Sequence, residues 1–188
     1  MGLLRWITRS RNPDLDPRLA AWRASWNRAA GSADVTALPA LREQLDGLDI
    51  PHDEIEVERE MLEALQDLSE LVTSVPLRGL PAITTGHRVV GDDRCHLIAP
   101  ASMPDAASQA AGQLLLTNRR AIFVGGAART VPWHQVREVL HQERDLVLLA
   151  KQPDTLVRFR CNGFSEAVRA AFIARALTTT HGRREAGL

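Results

Sequence analysis

At 188 residues with 45% hydrophobic side chains, the chain can build one good domain or two small ones around a real core. Its 23 basic and 23 acidic residues cancel, which excludes a global field drawing it to nucleic acid or to an anionic surface. No apolar run approaches the roughly 20 residues that span a bilayer, the start lacks a secretory signal, and Cys95 and Cys161 are too few for a disulfide framework. A reducing cytoplasm is therefore the expected compartment.

The first residues form a short amphipathic segment. Wound as a helix, Leu3, Leu4, Trp6 and Ile7 fall within one arc, with Arg5 and Arg9 opposite. Such a face either rests in a bilayer interface or tucks its tryptophan against neighbouring helices. Pro13 and Pro17 then open a stripe of Leu15, Leu19, Trp22 and Trp26, spaced four, three and four, which predicts a helix broken at Gly31-Ser32. Leu38, Leu41, Leu45 and Leu48 predict a second, with Pro39 tolerable in its first turn. After Asp49-Ile50-Pro51, the stripe Val57, Met61, Leu65, Leu68, Val72 and Val75 predicts a third and longest helix, whose glutamates and aspartates occupy most other directions. Three such stripes bury one another as a small bundle, or the longest pairs with a copy of itself, so a homodimer stays open.

From Pro76 the texture changes to short apolar pieces punctuated by glycine and proline. The reading is a helical region over 1–75, a linker over 76–85, a β module over 86–180 and a tail over 181–188. Strands are predicted near 94–100, 112–117, 119–124, 129–132, 135–141, 145–150 and 155–160, with turns at Asn118, Gly125-Gly126 and Pro153-Asp154. Phe164, Val168, Phe172 and Ala176 then recur every four residues, behind Asn162-Gly163 and a Ser165 cap and before Gly182, which predicts a closing helix able to plug an open barrel. The fold class is α+β: N-terminal helices, then a seven-stranded antiparallel barrel or sandwich capped by a C-terminal helix.

The order of elements, together with Gly112-x-Leu-x-Leu116-Thr117-x-x-Arg120-x-x-Phe123, resembles the bacterial PH-like domains, including the GRAM-type branch of the pleckstrin-homology superfold, over about residues 86–180. The physical logic of the motif is a glycine for close strand approach, leucines alternating into the barrel, Thr-Asn for a hairpin and Phe123 returning to the core. The resemblance implies a binding platform for lipid headgroups, peptides or proteins, without a catalytic set. It departs from phosphoinositide-binding relatives in the loop after the first strand, where Met103 to Gln109 carry no basic residue.

Other chemistry is weakly signalled. Cys95, His96, His134, His141 and Cys161 lack paired metal-ligand spacing, so no metal is expected, and no cofactor motif occurs. No nucleophile elbow, H-E-x-x-H or P-loop anchors an enzyme reading. Arg158 and Arg160 share one strand face and Arg119 and Arg120 sit at a hairpin, a basic patch for an anionic ligand or acidic partner if those edges are neighbours. Nucleic acid is not expected, since four tryptophans and four phenylalanines leave no interleaved stacking surface, and Trp22, Trp26 and Trp133 read as core. The expectation is a non-catalytic adaptor binding a protein partner. The alternative is a peripheral protein on the inner face of the cell membrane, held by the N-terminal segment and barrel arginines.

Overall fold

The structure, a computed structural model, describes residues 16–106, 110–126, 128–152 and 155–185. The amphipathic segment with Leu3, Leu4, Arg5, Trp6, Ile7 and Arg9 lies outside them, as does the Pro153-Asp154 turn.

Asp16 caps α1 (Pro17–Ser32) by accepting the Arg18 N–H at 2.7 Å, and the predicted stripe is buried at Leu19, Trp22 and Trp26. The helix ends at Ser32, at the predicted break, but the left-handed residue that closes it is Ala33 (φ 56°, ψ 33°) and not Gly31, and the Asp34 N–H returns to the Ala29 carbonyl at 2.8 Å. α2 (Leu38–Asp46) buries Leu41 and Leu45. α3 (Glu56–Arg78) runs on through Pro76, burying Met61, Leu65, Leu68 and Leu71 while Val57 at its start stays 37% exposed. Its Glu58, on a face expected to meet water, is completely buried.

Seven strands follow within two residues of their predicted ends: β1 (Cys95–Ser102), β2 (Ala111–Thr117), β3 (Arg120–Gly125), β4 (Arg129–Pro132), β5 (Val136–Gln142), β6 (Asp145–Ala150) and β7 (Leu156–Cys161). All pairings are antiparallel, in the order β4-β3-β2-β1-β7-β6-β5. β1 pairs with β2 along its length but meets β7 only through Ala101 and Ser102, so two half-sheets join at one corner. β4 and β5, at opposite ends of that order, are not hydrogen-bonded, and the barrel stays open.

α4 (Phe164–Glu185) packs into the opening against β5, β6, β1 and β7 and against α3 on its other side. It runs past Gly182, and its N-terminus is capped from α3, not by its own Ser165. Glu60 accepts the Phe164 N–H at 3.3 Å, and the Ser165 hydroxyl donates to Asp67 at 2.6 Å. One continuous apolar cluster therefore reaches from Trp22 and Trp26 through Met61, Leu65 and Val168 to Leu114, Leu148 and Phe159 inside the barrel. The architecture is a PH-like barrel, with a helical layer docked on its closing helix.

The motif residues each fill a structural place. A Cβ on Gly112 would meet the Val124 carbonyl oxygen at 2.1 Å, so only glycine lets β2 approach β3 there. Leu114, Leu116 and Phe123 are completely buried, and Phe123 stacks on Phe159 at 6.0 Å. Thr117 Oγ1 accepts the N–H groups of Arg119 (3.2 Å) and Arg120 (3.1 Å) and locks the hairpin. Leu115, on the opposite pleat, forms a second small cluster with Ile122, Cys95 and Val90 on the outer face.

Candidate functional site

The three described tryptophans are core residues that also tie elements together. The indole N–H donates from Trp22 to the Leu41 carbonyl (2.7 Å), from Trp26 to the Met61 carbonyl (2.6 Å) and from Trp133 to the Thr117 carbonyl (2.7 Å). Trp26 further packs edge-on to Phe164 and against the His141 ring. These contacts seat α1 and α3 against the β5–β6 hairpin, and the Glu143 N–H of that hairpin donates to Asn27 of α1 at 2.9 Å.

The four arginines expected to form a basic patch are not brought together. Arg119 and Arg120 flank the start of β1, where Asp93 lies 3.5 and 2.9 Å from their Nε atoms. Arg160 faces Ser102 at the other end of β1, roughly 20 Å of strand away. It is held bidentate by Asp145 at 2.8 and 3.0 Å. Arg158 donates to Asp105 at 3.0 Å and lies 3.5 Å from Asp145. All four thus have carboxylate partners, and Asp105, in the loop after β1, supplies acid where a headgroup site would want base.

Arg160 instead belongs to a different constellation. A cleft of about 360 Å³ opens between the helical layer and the barrel, lined by Arg23, Val57, Met61, Glu143, Arg144, Asp145, Arg160 and Phe164. Val57, Met61 and Phe164 make its apolar part, and three arginines from three separate elements, with the carboxylates of Glu143 and Asp145, make its polar part. Arg23 is pinned by its Nε to Glu58 at 2.6 Å, with Glu58 buried beneath it. Arg144 sits on the β5–β6 turn, whose backbone is fixed by the Cys161 N–H donating to the Arg144 carbonyl at 2.9 Å. Its guanidinium lies 4.9 Å over the Phe164 ring and donates to the Asn162 carbonyl at 3.1 Å. Among the described residues Arg144 has no carboxylate partner. Sequence reasoning missed Arg23 and Arg144 because nothing local marks them; only the hairpin register and the docking of α1 bring them to Arg160.

Three side chains, Cys161, Cys95 and His141, have pKa values shifted by their surroundings. Burial, then the charges of Glu166 and Asp145, pushes the Cys161 thiol up to about 12, and burial raises that of Cys95. Burial, reinforced by the Arg175 charge, pushes His141 down to about 4 against a weaker opposing effect of the Glu143 backbone, and among the described residues neither of its buried ring nitrogens has a hydrogen-bond partner. Among the described residues no group of three or more His, Cys, Asp or Glu side chains is arranged to hold a metal ion, and no helix is long and apolar enough to cross a membrane.

The class defined by strand order, open corner and closing helix is the PH-like barrel. No protein-family model matches the chain, and no curated protein matches it by sequence. Among solved structures it is similar to the FERM and C-terminal domain complex of Drosophila Merlin at 9% identity and a TM-score of 0.40, over 48% of this chain and 31% of that one. It is similar to the C-terminal domain of an unknown protein from Leishmania infantum at 8% and 0.41, over 59% and 96%, and to the DH/PH domains of p115-RhoGEF at 10% and 0.41, over 78% and 55%. The chain thus spans less than a third of the Merlin chain. Likeness at this level carries no argument, and the fold rests on the pairings above.

Proposed function

We propose that this protein is a non-catalytic binding module that holds a segment of a protein partner in the cleft between its helical layer and its barrel. The observation carrying the reading is the cleft itself, in which apolar Val57, Met61 and Phe164 lie beside three arginines and the carboxylates of Glu143 and Asp145, a mixed apolar and polar lining of the kind recognition sites carry. The thiols and His141, held away from reactive states, support the absence of catalysis. The motif from Gly112 to Phe123 supports placing the barrel in the bacterial GRAM-type branch, and the free thiols of Cys95 and Cys161 support a reducing, cytoplasmic compartment.

Strand addition is the weaker mode, because the two sheet edges are defended. On β5 the Val139 carbonyl accepts from Arg175 of α4 at 3.2 Å and α1 lies alongside. β4 is four residues long and carries Arg129 and Pro132, both features that blunt an edge. Insertion into a groove is favoured.

The test is affinity capture on the full chain, on Val57→Glu, which puts a charge on the cleft floor, and on Thr130→Pro, which blocks the β4 edge. A partner retained by the unmodified chain and by Thr130→Pro but lost from Val57→Glu is the expected outcome. Loss from Thr130→Pro alone moves the site to the β4 edge, and no specific partner under any condition sinks the binding-module reading.

A further inference from the structure

We infer that the cleft selects an acidic side chain presented beside an apolar one, so that the partner segment it accepts carries an aspartate or glutamate next to a bulky hydrophobic residue. The inference deepens the binding-module reading and rests on it.

The three cleft arginines differ in what they have left to offer. Arg23 uses Nε on Glu58, and Arg160 uses Nε and one terminal nitrogen on Asp145. Glu143 adds a further negative charge near Arg160, helping to hold that guanidinium protonated after the dominant effect of Asp145. Arg23 and Arg160 are thus committed to Glu58 and Asp145, whereas Arg144, among the described residues, is ion-paired to no carboxylate and is already immobilised by stacking on Phe164 and by its bond to the Asn162 carbonyl. A guanidinium fixed in advance loses little freedom when it takes a carboxylate, and its planar fork matches that group. The floor beside it requires the second half of the ligand. Val57 is 37% exposed at the start of α3, beside buried Met61 and Phe164. An apolar side chain seated there would cover surface that the fold leaves open.

The shape argues for a protein segment over a membrane. A bilayer needs basic groups on an outward, accessible face, whereas these arginines line a recess of about 360 Å³, the size of one or two side chains. The exposed barrel arginines Arg119 and Arg120 are engaged with Asp93.

The experiment titrates N-acetyl-Phe-Glu-amide and N-acetyl-Phe-Gln-amide into the isotope-labelled full chain, following Val57 and Met61 methyl and arginine Nε–H signals. Saturable shifts at those positions are expected with the glutamate peptide, with affinity about tenfold weaker for the glutamine peptide, the loss of one charge-assisted pair. Arg144→Gln should abolish that preference while leaving the glutamine peptide unchanged, and its spectrum reports at once whether it is folded. Arg169→Gln, which removes an exposed charge from α4, should change nothing. Equal affinity for the two peptides, a preference that survives Arg144→Gln, or no shift at the cleft up to roughly 20 mM peptide overturns the inference. The partner-capture comparison with Val57→Glu is independent of it, so a partner held in the cleft without acidic preference remains a distinct result. Salt-dependent binding of phosphatidylserine vesicles with shifts at the same signals would assign the cleft to lipid and overturn it equally.

Discussion

Arg23 Nε lies 2.6 Å from Glu58 Oε1, joining α1 to the first turn of α3 through a carboxylate that has no exposed surface and whose second oxygen has no hydrogen-bond partner among the described residues. A carboxylate in that position is tolerable only while the guanidinium stands over it, so the pair fixes how the helical layer docks and which way Arg23 faces the cleft.

Removing one partner should therefore cost far more than removing both. Arg23→Met leaves the buried Glu58 carboxyl without its ion-pair partner, and a loss of about 3–5 kcal/mol is expected in urea unfolding. The double variant Arg23→Met/Glu58→Leu replaces the pair by apolar volume and should recover most of it. A single-variant loss under about 1 kcal/mol, the range of exposed pairs, would mean that water reaches Glu58.

Gly112 tests the strand motif. With a Cβ falling 2.1 Å from the Val124 carbonyl oxygen and 2.8 Å from the Gly125 Cα, both backbone atoms, Gly112→Ala cannot be accommodated by a side-chain rotation. β2 must part from β3, and a loss of more than about 2 kcal/mol is expected, in the range of overpacked sites. Thermal unfolding close to that of the unmodified chain would refute this account of the motif.

The strands were legible because each carries a period-two signal and a turn residue, and Leu114-Leu115-Leu116 between Gly112 and Asn118 leaves one register that buries two leucines inside. The closing helix was legible from Phe164 and Val168. What the sequence concealed depends on distant pairing. The partner of Arg160 is its cross-strand neighbour Asp145, invisible until the β6–β7 register is known, and the cleft joins Arg23 to Arg144 across more than a hundred residues. Glu58 looked like a solvent-facing glutamate because its helix is acidic on most sides; only the arrival of Arg23 explains its burial.

The end of α1 was legible, but the residue that closes it was not. Gly31 is an ordinary helical residue where an added Cβ would meet nothing within 4 Å, whereas the left-handed position falls on Ala33. Two opposite substitutions should both stabilise: Gly31→Ala by about 0.5–1 kcal/mol through lower unfolded-state entropy, and Ala33→Gly by about 1 kcal/mol through relief of the left-handed strain. Additive gains in thermal unfolding are expected, and a destabilising Ala33→Gly would show that the helix ends elsewhere.

His141 gives the fold an acid limit. Its ring packs against Trp26 at 5.5 Å with both nitrogens buried, and burial, aided by the Arg175 charge, lowers its pKa from 6.5 to about 4. The folded form thus binds the proton more weakly than the unfolded chain. Between those two values the unfolded state carries more protons, so stability falls as pH drops through that window; above 6.5 the contribution is fully present, and below about 4 it is lost. A shift of that size corresponds to roughly 3 kcal/mol. Urea midpoints measured from about pH 7.5 down to about 4 should fall for the unmodified chain, and His141→Leu, which keeps the position apolar, should remove this part of the slope while the carboxylates retain theirs. Parallel slopes for the two proteins would show that His141 is solvated when folded, and that α1 does not seal the hairpin against Trp26.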